Sequence, residues 1–209
     1  MKKRSKIILI LCLCLCVAVA STAIGYWQYE EHHERDQRLV TVEKGVLYRA
    51  RQPDPLRLNR LRSRGITQVI NFRPREEDPK VFDAEQRDCR ENGVSFVNIP
   101  IDTAVPSDAQ LEQSLRLIVT HKGATLIHCA QGRKRTGLVA AAYRIIYQGW
   151  AAERALAEMR KYFDDSSSKH EKARKLKWLR QVHRDRAQWL VRVPARHTSV
   201  SSGPAVSGK

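Results

Sequence analysis

The sequence has few acidic residues for its length. It carries 22 Asp and Glu against 38 Lys and Arg, which gives a net charge of +16. An excess this large favours anionic partners such as phosphorylated groups, membrane headgroups or nucleic acid. The sequence also lacks zinc-finger spacing, an RNA-binding aromatic signature and a helix-turn-helix pattern, so we expect no nucleic-acid partner.

Cysteine is also scarce, and the five cysteines are too few for a disulfide scaffold. Cys12, Cys14 and Cys16 lie in an apolar N-terminal run, which leaves Cys89 and Cys129 for the folded part. Cys89 lies in a predicted helix, and we interpret it as a buried and inert residue. A disulfide between Cys89 and Cys129 in an oxidising compartment is the alternative.

The N-terminus has the pattern of an export segment. Residues 7–29 contain no charged residue and follow four cations. This segment is long enough for a helix to cross a bilayer core of about 30 Å. Residues 1–29 are either a signal peptide cleaved after the small residues AVA or an uncleaved anchor with aromatic residues at the interface. Both interpretations predict a periplasmic domain, anchored to the inner membrane or released after cleavage.

One α/β domain is predicted for residues 45–192. Residues 30–44 are polar and indicate a linker, and residues 193–209 are small and polar and indicate a disordered tail. Apolar strand patterns alternate with helical ones, which favours a mainly parallel central sheet flanked by helices. The predicted strands are 45–52, 66–73, 94–100 and 124–128. The predicted helices are near 56–64, 81–92, 107–121, 136–148, 151–162 and 169–192.

The loop HCAQGRKRTG, residues 128–137, is the most informative stretch of the sequence. It lies between a buried strand and a helix, where loop and helix N–H groups can converge on a tetrahedral dianion. Arg135 can offer two parallel hydrogen bonds to phosphoryl oxygens. Such a positive field favours the thiolate of Cys129, which we interpret as a nucleophile that forms a cysteinyl-phosphate. We expect Thr136 to donate to the sulfur and His128 to orient the loop.

The leaving oxygen needs a proton, and the loop IDTAVPSD offers two candidate general acids. Asp108 falls in the first turn of a helix, where an acid commonly serves only as a partner of the helix dipole. That helix is indicated by a capping box formed by Ser107 and Gln110. Asp102 lies in the open loop, and we favour it over Asp108.

The loop resembles the signature of the cysteine-based protein tyrosine and dual-specificity phosphatase superfamily, which is His-Cys, five residues, Arg, then Ser or Thr. The segments LYRARQPDP, ITQVINFRP and GLVAAAYRIIYQGWAAERALAEM are similar to those of small bacterial periplasmic tyrosine phosphatases. That group includes the tyrosine phosphatase related to biofilm formation. The resemblance covers about residues 45 to 165.

This resemblance implies a compact dual-specificity-phosphatase-type domain that requires no metal and no other cofactor. It places Cys129 at the nucleophile position and Arg135 at the phosphate-binding position. The cradle for the phosphate is then formed by the backbone of Ala130, Gln131, Gly132, Arg133 and Lys134.

The expected function is hydrolysis of phosphotyrosine, and also of phosphoserine or phosphothreonine, in periplasmic proteins. Arg133 and Lys134 are more basic than the residues common at these positions in protein phosphatases. Extra cations at these positions resemble those of superfamily members that act on inositol phosphates or phospholipids. Hydrolysis of such phosphates is the alternative function. A catalytically inactive phosphate-binding module is a third possibility, against which the intact Cys129, Arg135 and Thr136 argue.

The stretch 169–196 carries ten Lys or Arg against two acids. We predict a single amphipathic helix that packs Ala173, Leu176, Leu179 and Val182 on the domain and leaves a solvated basic face. Contact of this face with anionic headgroups is the alternative.

Overall fold

The computed structural model describes residues 13–26, 39–53, 58–162 and 168–194. Contacts divide the chain into two units, Met1–Leu39 and Val40–Lys209. In the first unit, residues 13–26 form helix α1. No helix within the described ranges is both long and apolar enough to cross a membrane. The predicted span 7–29 extends on both sides of α1 into residues outside the description, and nearly all of the predicted tail lies outside it as well.

Five strands of the second unit form one sheet. In chain order they are β1 Val40–Glu43, β2 Leu47–Ala50, β3 Ile66–Asn71, β4 Ser95–Asn98 and β5 Ala124–His128. Their spatial order is β1-β2-β5-β3-β4. Strand β1 pairs antiparallel with β2, and all other pairs are parallel. The predicted mainly parallel α/β sheet is therefore confirmed.

Strand β1 lies inside the stretch that the sequence analysis assigned to the linker. Val42 is buried there, while its neighbours are more exposed. Four residues with polar flanks carry too little period-2 signal to be recognised as a strand. Pairing with β2 gives this segment its structure, so the linker prediction was wrong for these residues.

Seven helices and one 3-10 turn are found in the described part of the second unit. They are α2 Leu58–Ser63, the turn Arg75–Glu77, α3 Pro79–Glu91, α4 Asp108–Thr120, α5 Lys134–Gln148, α6 Ala152–Tyr162, α7 Lys169–Arg184 and α8 Arg186–Arg192. The predicted capping box starts α4, because Ser107 Oγ accepts from the Gln110 amide at 3.2 Å and Gln110 Oε1 accepts from the Ser107 amide at 2.8 Å.

The C-terminal helix was predicted as one element, but the structure divides it into α7 and α8 at Asp185. The inward face also differs in part from the prediction. Leu179 and Val182 are buried as expected, whereas Ala173 is exposed and Lys175 is fully buried. The apolar pattern did not predict the burial of Lys175. Its ammonium lies 3.2 Å from Glu171 of the same helix, and this ion pair allows the lysine to be buried.

Helices cover both faces of the sheet. Ile127 of β5 packs in the main hydrophobic cluster with residues of α5, whereas the next residue, His128, contacts Glu85 of α3. Successive strand residues point to opposite faces, so α5 covers one face and α3 the other. Helices α4, α6, α7 and α8 pack against α5.

Candidate active site

The parallel strands place their carboxyl ends side by side. In the sheet register, His128 is opposite Ala50 on one side and Asn71 on the other, and Asn71 is opposite Asn98. The loops that follow these four strands therefore begin at the same edge. Cys129 is the first residue after the central strand β5, and it is only 5% exposed.

Three carbonyl groups of the segment around Cys129 are held by donors from neighbouring segments. These bonds are Gln52 N to Ala130 O at 3.1 Å, Phe72 N to His128 O at 2.9 Å, and Arg49 Nη2 to Gly132 O at 2.8 Å. Carbonyls engaged in this way leave the loop N–H groups and the N-terminal N–H groups of α5 for an anion. This arrangement is compatible with the predicted phosphate cradle.

Gly132 is required by the shape of this loop. Its φ angle is +63°, a left-handed conformation that other residues rarely adopt. A Cβ at this position would lie 2.3 Å from the carbonyl oxygen of Ala50. The loop therefore packs so closely on the end of β2 that only glycine fits.

Arg135 lies at the exposed rim of the loop and is paired with a carboxylate. Its guanidinium donates a hydrogen bond to Glu77, which also accepts from Arg73 Nε at 3.3 Å. This pairing raises the pKa of Arg135 and lowers the pKa of Glu77. Arg73 Nη1 in turn donates to Gln52 at 3.1 Å. Arg135 is thus already oriented by an anionic partner at the edge of the site.

The two candidate general acids have different surroundings. Asp102 lies in the exposed loop after β4 and interacts electrostatically with Arg135. Asp108 is 74% exposed and faces Arg192 of α8, at 3.9 Å. Asp102 therefore interacts with the arginine of the loop, whereas Asp108 lies next to a C-terminal helix.

The contacts of Lys134 and Thr136 differ from those expected from the sequence. Lys134 Nζ lies 3.1 Å from Glu171 of α7, so its charge is shared with a carboxylate. Thr136 is fully buried, and its hydroxyl has no hydrogen-bond partner among the described residues. The expected bond from Thr136 to the Cys129 sulfur is not formed in this structure. The other cradle residues lie at the surface of the loop: Gln131 is exposed, and Ala130 and Arg133 are half-buried.

A buried polar group holds the loop from the α3 side. His128 Nε2 lies 2.8 Å from Glu85 Oε1, although the contact lacks the alignment of a hydrogen bond. The other oxygen of Glu85 accepts from Asn71 Nδ2 at 2.8 Å, and Asn71 Oδ1 accepts from the Arg73 amide at 2.8 Å. This arrangement supports the expected role of His128 in orienting the loop.

Three residues of the site were missed by sequence reasoning: Arg49, Glu77 and Glu85. Arg49 is 1% exposed, and burial lowers its pKa to about 9. A charged residue within the apolar strand 47–50 was the available signal, because a buried charge needs a partner. For Glu77, the signal was an acidic pair close after a strand that ends beside the loop.

Both cysteines of the domain are free thiols, so the alternative of a disulfide is not found. Cys89 of α3 is fully buried, as predicted. Burial and the nearby carboxylates of Glu85 and Asp88 raise the pKa of its thiol to about 12.

Comparisons with known proteins identify the family of this chain. The model of the family described as "DSP-PTPase phosphatase fused to NAD+ Kinase" matches residues 19–177. The dual specificity protein phosphatase TpbA of Pseudomonas aeruginosa strain UCBPP-PA14 is 31% identical over 118 residues, which cover 56% of this chain and 50% of that protein. The chain therefore spans about half the length of this curated relative.

Solved structures show the same fold. The crystal structure of P. aeruginosa TpbA has 25% identity and a TM-score of 0.59, and the match covers 72% of this chain and 91% of that one. A complex of TpbA with pTyr has 24% identity and a TM-score of 0.58, and covers 72% and 93%. Tk-PTP in its active form has 27% identity and a TM-score of 0.55, and covers 69% and 97%. With the family model matching more than half of its length, the chain belongs to the dual-specificity-type protein tyrosine phosphatase (DSP-PTPase) family.

Proposed function

We propose that this chain hydrolyses phosphotyrosine, and more slowly phosphoserine or phosphothreonine, in proteins through a cysteinyl-phosphate formed on Cys129. One observation carries this proposal. Cys129 lies at the base of a loop whose carbonyls are held from behind, and Arg135 and the N-terminus of α5 face the same loop. A thiolate in that position is aimed at a bound phosphoryl group.

The reaction has two steps. In the first, the Cys129 thiolate forms a bond to phosphorus, the bond from phosphorus to the substrate oxygen breaks, and Asp102 gives that oxygen its proton. In the second, water attacks phosphorus, the bond to sulfur breaks, and the Asp102 carboxylate takes a proton from the water. Arg135 and the loop N–H groups stabilise the negative charge in both transition states. We further propose that the Thr136 hydroxyl, which makes no hydrogen bond to the sulfur in this structure, donates one to it as the bond to phosphorus breaks.

Phosphotyrosine is the preferred substrate in this proposal for two reasons. TpbA, a member with the same fold, is known in complex with pTyr. In addition, Cys129 is 5% exposed, and a phosphate on the long tyrosine side chain reaches a buried sulfur more easily than one on serine. The inositol phosphate and phospholipid alternative depended on Arg133, Lys134 and the possible membrane anchor. Lys134 gives it less support, because its ammonium is paired with Glu171.

Phosphate release by the full chain tests the proposal. The panel contains an aryl phosphate, a phosphotyrosine peptide, a phosphothreonine peptide, an inositol phosphate and a short-chain phosphatidylglycerol phosphate, with Cys129→Ser as the blank. We expect the phosphotyrosine peptide to exceed the inositol phosphate and the lipid at least about tenfold in kcat/KM. The reverse order would assign the enzyme to lipids or inositol phosphates. A folded chain that releases no phosphate would be a phosphate-binding module.

The general acid is tested by a matched pair of variants. We expect Asp102→Asn to lower kcat about 100-fold on a phosphotyrosine peptide, because the leaving oxygen then departs without a proton. The loss should be much smaller on an aryl phosphate whose phenol is a good leaving group. Asp108→Asn should leave kcat unchanged on both substrates. Equal losses in the two variants would remove Asp102 from this role.

We also propose that the N-terminal segment exports the domain to the periplasm and keeps it at the inner membrane. The support is the charge pattern of the sequence, with four cations before the apolar run and an acid-rich stretch after it. A reporter enzyme that is active only in the periplasm, fused to the C-terminus, should be active and should sediment with membranes. Activity in the soluble periplasmic fraction would indicate cleavage, and an inactive reporter would contradict export.

A further inference from the structure

Arg49 is a fully buried cation immediately behind the phosphate loop. It lies in β2, which is the neighbour of β5 in the sheet, and its side chain is 1% exposed. Its Nη2 donates to the carbonyl oxygen of Gly132 at 2.8 Å. Burying a guanidinium is costly unless nearby groups compensate its charge. The groups around Arg49 therefore indicate the role of its buried charge.

The bond to Gly132 orients the loop. N–H groups can converge on an anion only if the carbonyls of the same loop face elsewhere and are satisfied there. The carbonyls of His128 and Ala130 are held by backbone N–H groups, which almost any residue could supply. The carbonyl of Gly132 depends on a side chain, and that side chain is Arg49.

Space for the guanidinium is provided by the first turns of α5. A Cβ on Gly137 would lie 3.2 Å from Arg49 Nη2 and 2.7 Å from Met159 Cγ. The contact with Met159 is shorter than real Cβ atoms show and the one with Arg49 is tight, so the absence of a side chain at Gly137 leaves room for Arg49 beneath the helix. The same helix carries Arg135 at its exposed N-terminal end, and the loop is thus enclosed between one buried and one rim arginine.

Charge balance on the buried side favours an additional anion. Glu158 of α6 interacts with Arg49, but it also accepts two hydrogen bonds from Arg144 of α5. Two buried cations therefore share this one carboxylate. Arg49 also interacts electrostatically with Cys129, and this buried positive charge favours a thiolate there. The low pKa of Arg49, about 9, reflects the cost of burying it and still leaves it protonated at neutral pH.

Other charged groups face Cys129 from the remaining elements. On the exposed side, Arg135 interacts with Cys129 and also with Glu77 and Asp102. On the α3 side, His128 is in contact with Glu85. Arg49 differs from these groups because it combines complete burial with a direct hydrogen bond to the loop.

We propose that Arg49 is a positioning residue that turns the Gly132 carbonyl out of the phosphate cradle and supplies a buried positive charge that favours the thiolate form of Cys129 over the thiol. This inference rests on the proposed function for its catalytic meaning. It does not need turnover for its test, because thiolate formation can be measured without a substrate.

The experiment measures the rate of Cys129 alkylation by iodoacetamide against pH, in the full chain, with mass spectrometry of the Cys129 peptide. Arg49→Gln keeps a donor but removes the charge, and we expect it to raise the pH midpoint of alkylation by about one unit. Arg49→Lys keeps the charge, and its midpoint should stay within about 0.3 units of the wild type. Arg49→Gln should also lower kcat/KM about 100-fold near neutral pH.

Arg186→Gln is the matched control. The Arg186 guanidinium also donates to backbone carbonyls, those of Ile145 and Ile146, but at the opposite end of α5. Its loss should leave the alkylation midpoint unchanged. Glu158→Gln tests the same charge balance from another position, and it should lower the midpoint by about half a unit because less negative charge then opposes Arg49.

A wild-type midpoint in folded Arg49→Gln would overturn the proposal. If the Arg49 variants do not fold, an unchanged or raised midpoint in Glu158→Gln would overturn it. Failure of the proposed function has a different signature. The wild-type chain would then show an alkylation midpoint that depends on Arg49 but would release no phosphate from any substrate.

Discussion

Cys129 and Cys89 are both buried free thiols of one domain, but the charges around them have opposite signs. Cys89 faces two carboxylates of α3, and these together with burial raise the pKa of its thiol to about 12. Cys129 begins a loop at the sheet edge and interacts with two cations, Arg49 and Arg135. Burial is common to both thiols, and the sign of the neighbouring charge is what distinguishes their surroundings.

The difference between these thiols follows from where the chain places them. Cys89 lies near the C-terminal end of α3, where free carbonyl groups disfavour negative charge. Cys129 lies just before the N-terminal end of α5, where free N–H groups favour it. The same fold thus contains an inert thiol and a candidate nucleophile, and this contrast can be tested directly.

Replacement of each cysteine by serine should give the largest difference in phosphate release between the two sites. We expect Cys129→Ser to lower phosphate release at least about 10⁴-fold, because a neutral hydroxyl replaces a thiolate. Cys89→Ser should retain activity within about threefold. Steady-state release from an aryl phosphate measures both. Comparable losses would mean that Cys89 takes part in the reaction or in holding the loop.

Selective alkylation should be the next largest effect. At pH 7, a thiol with a pKa of about 12 is ionised only to about one part in 10⁵, and Cys89 is also enclosed. We expect iodoacetamide to modify Cys129 at least about 100-fold faster than Cys89 in the folded chain. Unfolding in urea should abolish this selectivity. Equal rates under native conditions would contradict the contrast between the two surroundings.

Glu85 offers a way to change both sites at once, because it contacts His128 and its charge acts on Cys89. We expect Glu85→Gln to lower kcat/KM about tenfold, because His128 loses the carboxylate that holds it behind the loop. Alkylation of Cys89 should begin at a lower pH in this variant. Asp88→Asn is the control, because the Asp88 charge also acts on Cys89. It should lower the pH at which alkylation of Cys89 begins and leave kcat/KM unchanged.

The smallest effect concerns stability. Cys89→Ala should lower the free energy of unfolding by about 1 kcal/mol through lost packing, without a change in activity. The wild type should also lose stability as the pH rises from 9 towards 12, because in this window the unfolded thiol gives up its proton and the folded thiol retains it. Urea unfolding at several pH values measures both effects, and Cys89→Ala should show the smaller alkaline loss.

Local patterns were sufficient for most of the fold. The strand 124–128 is a short apolar run, and it was predicted with its observed ends. The helix after the loop and its end at Gly149 were also predicted. Glycine commonly follows a helix because it readily adopts the left-handed conformation, and Gly149 does so here. The misses were β1 and the break at Asp185. Both depend on contacts with distant segments, which a local pattern does not record.

The sequence by itself indicated the loop, its candidate nucleophile Cys129 and its arginine, because all three lie in one short segment between a strand and a helix. Only the tertiary structure decided which residues support that loop. Arg49 and Glu85 are 80 and 44 positions before Cys129, and Glu77 is 52 positions before it. Their role arises because parallel pairing brings the ends of β2, β3 and β5 to one edge, where charges that are far apart along the chain share the same site.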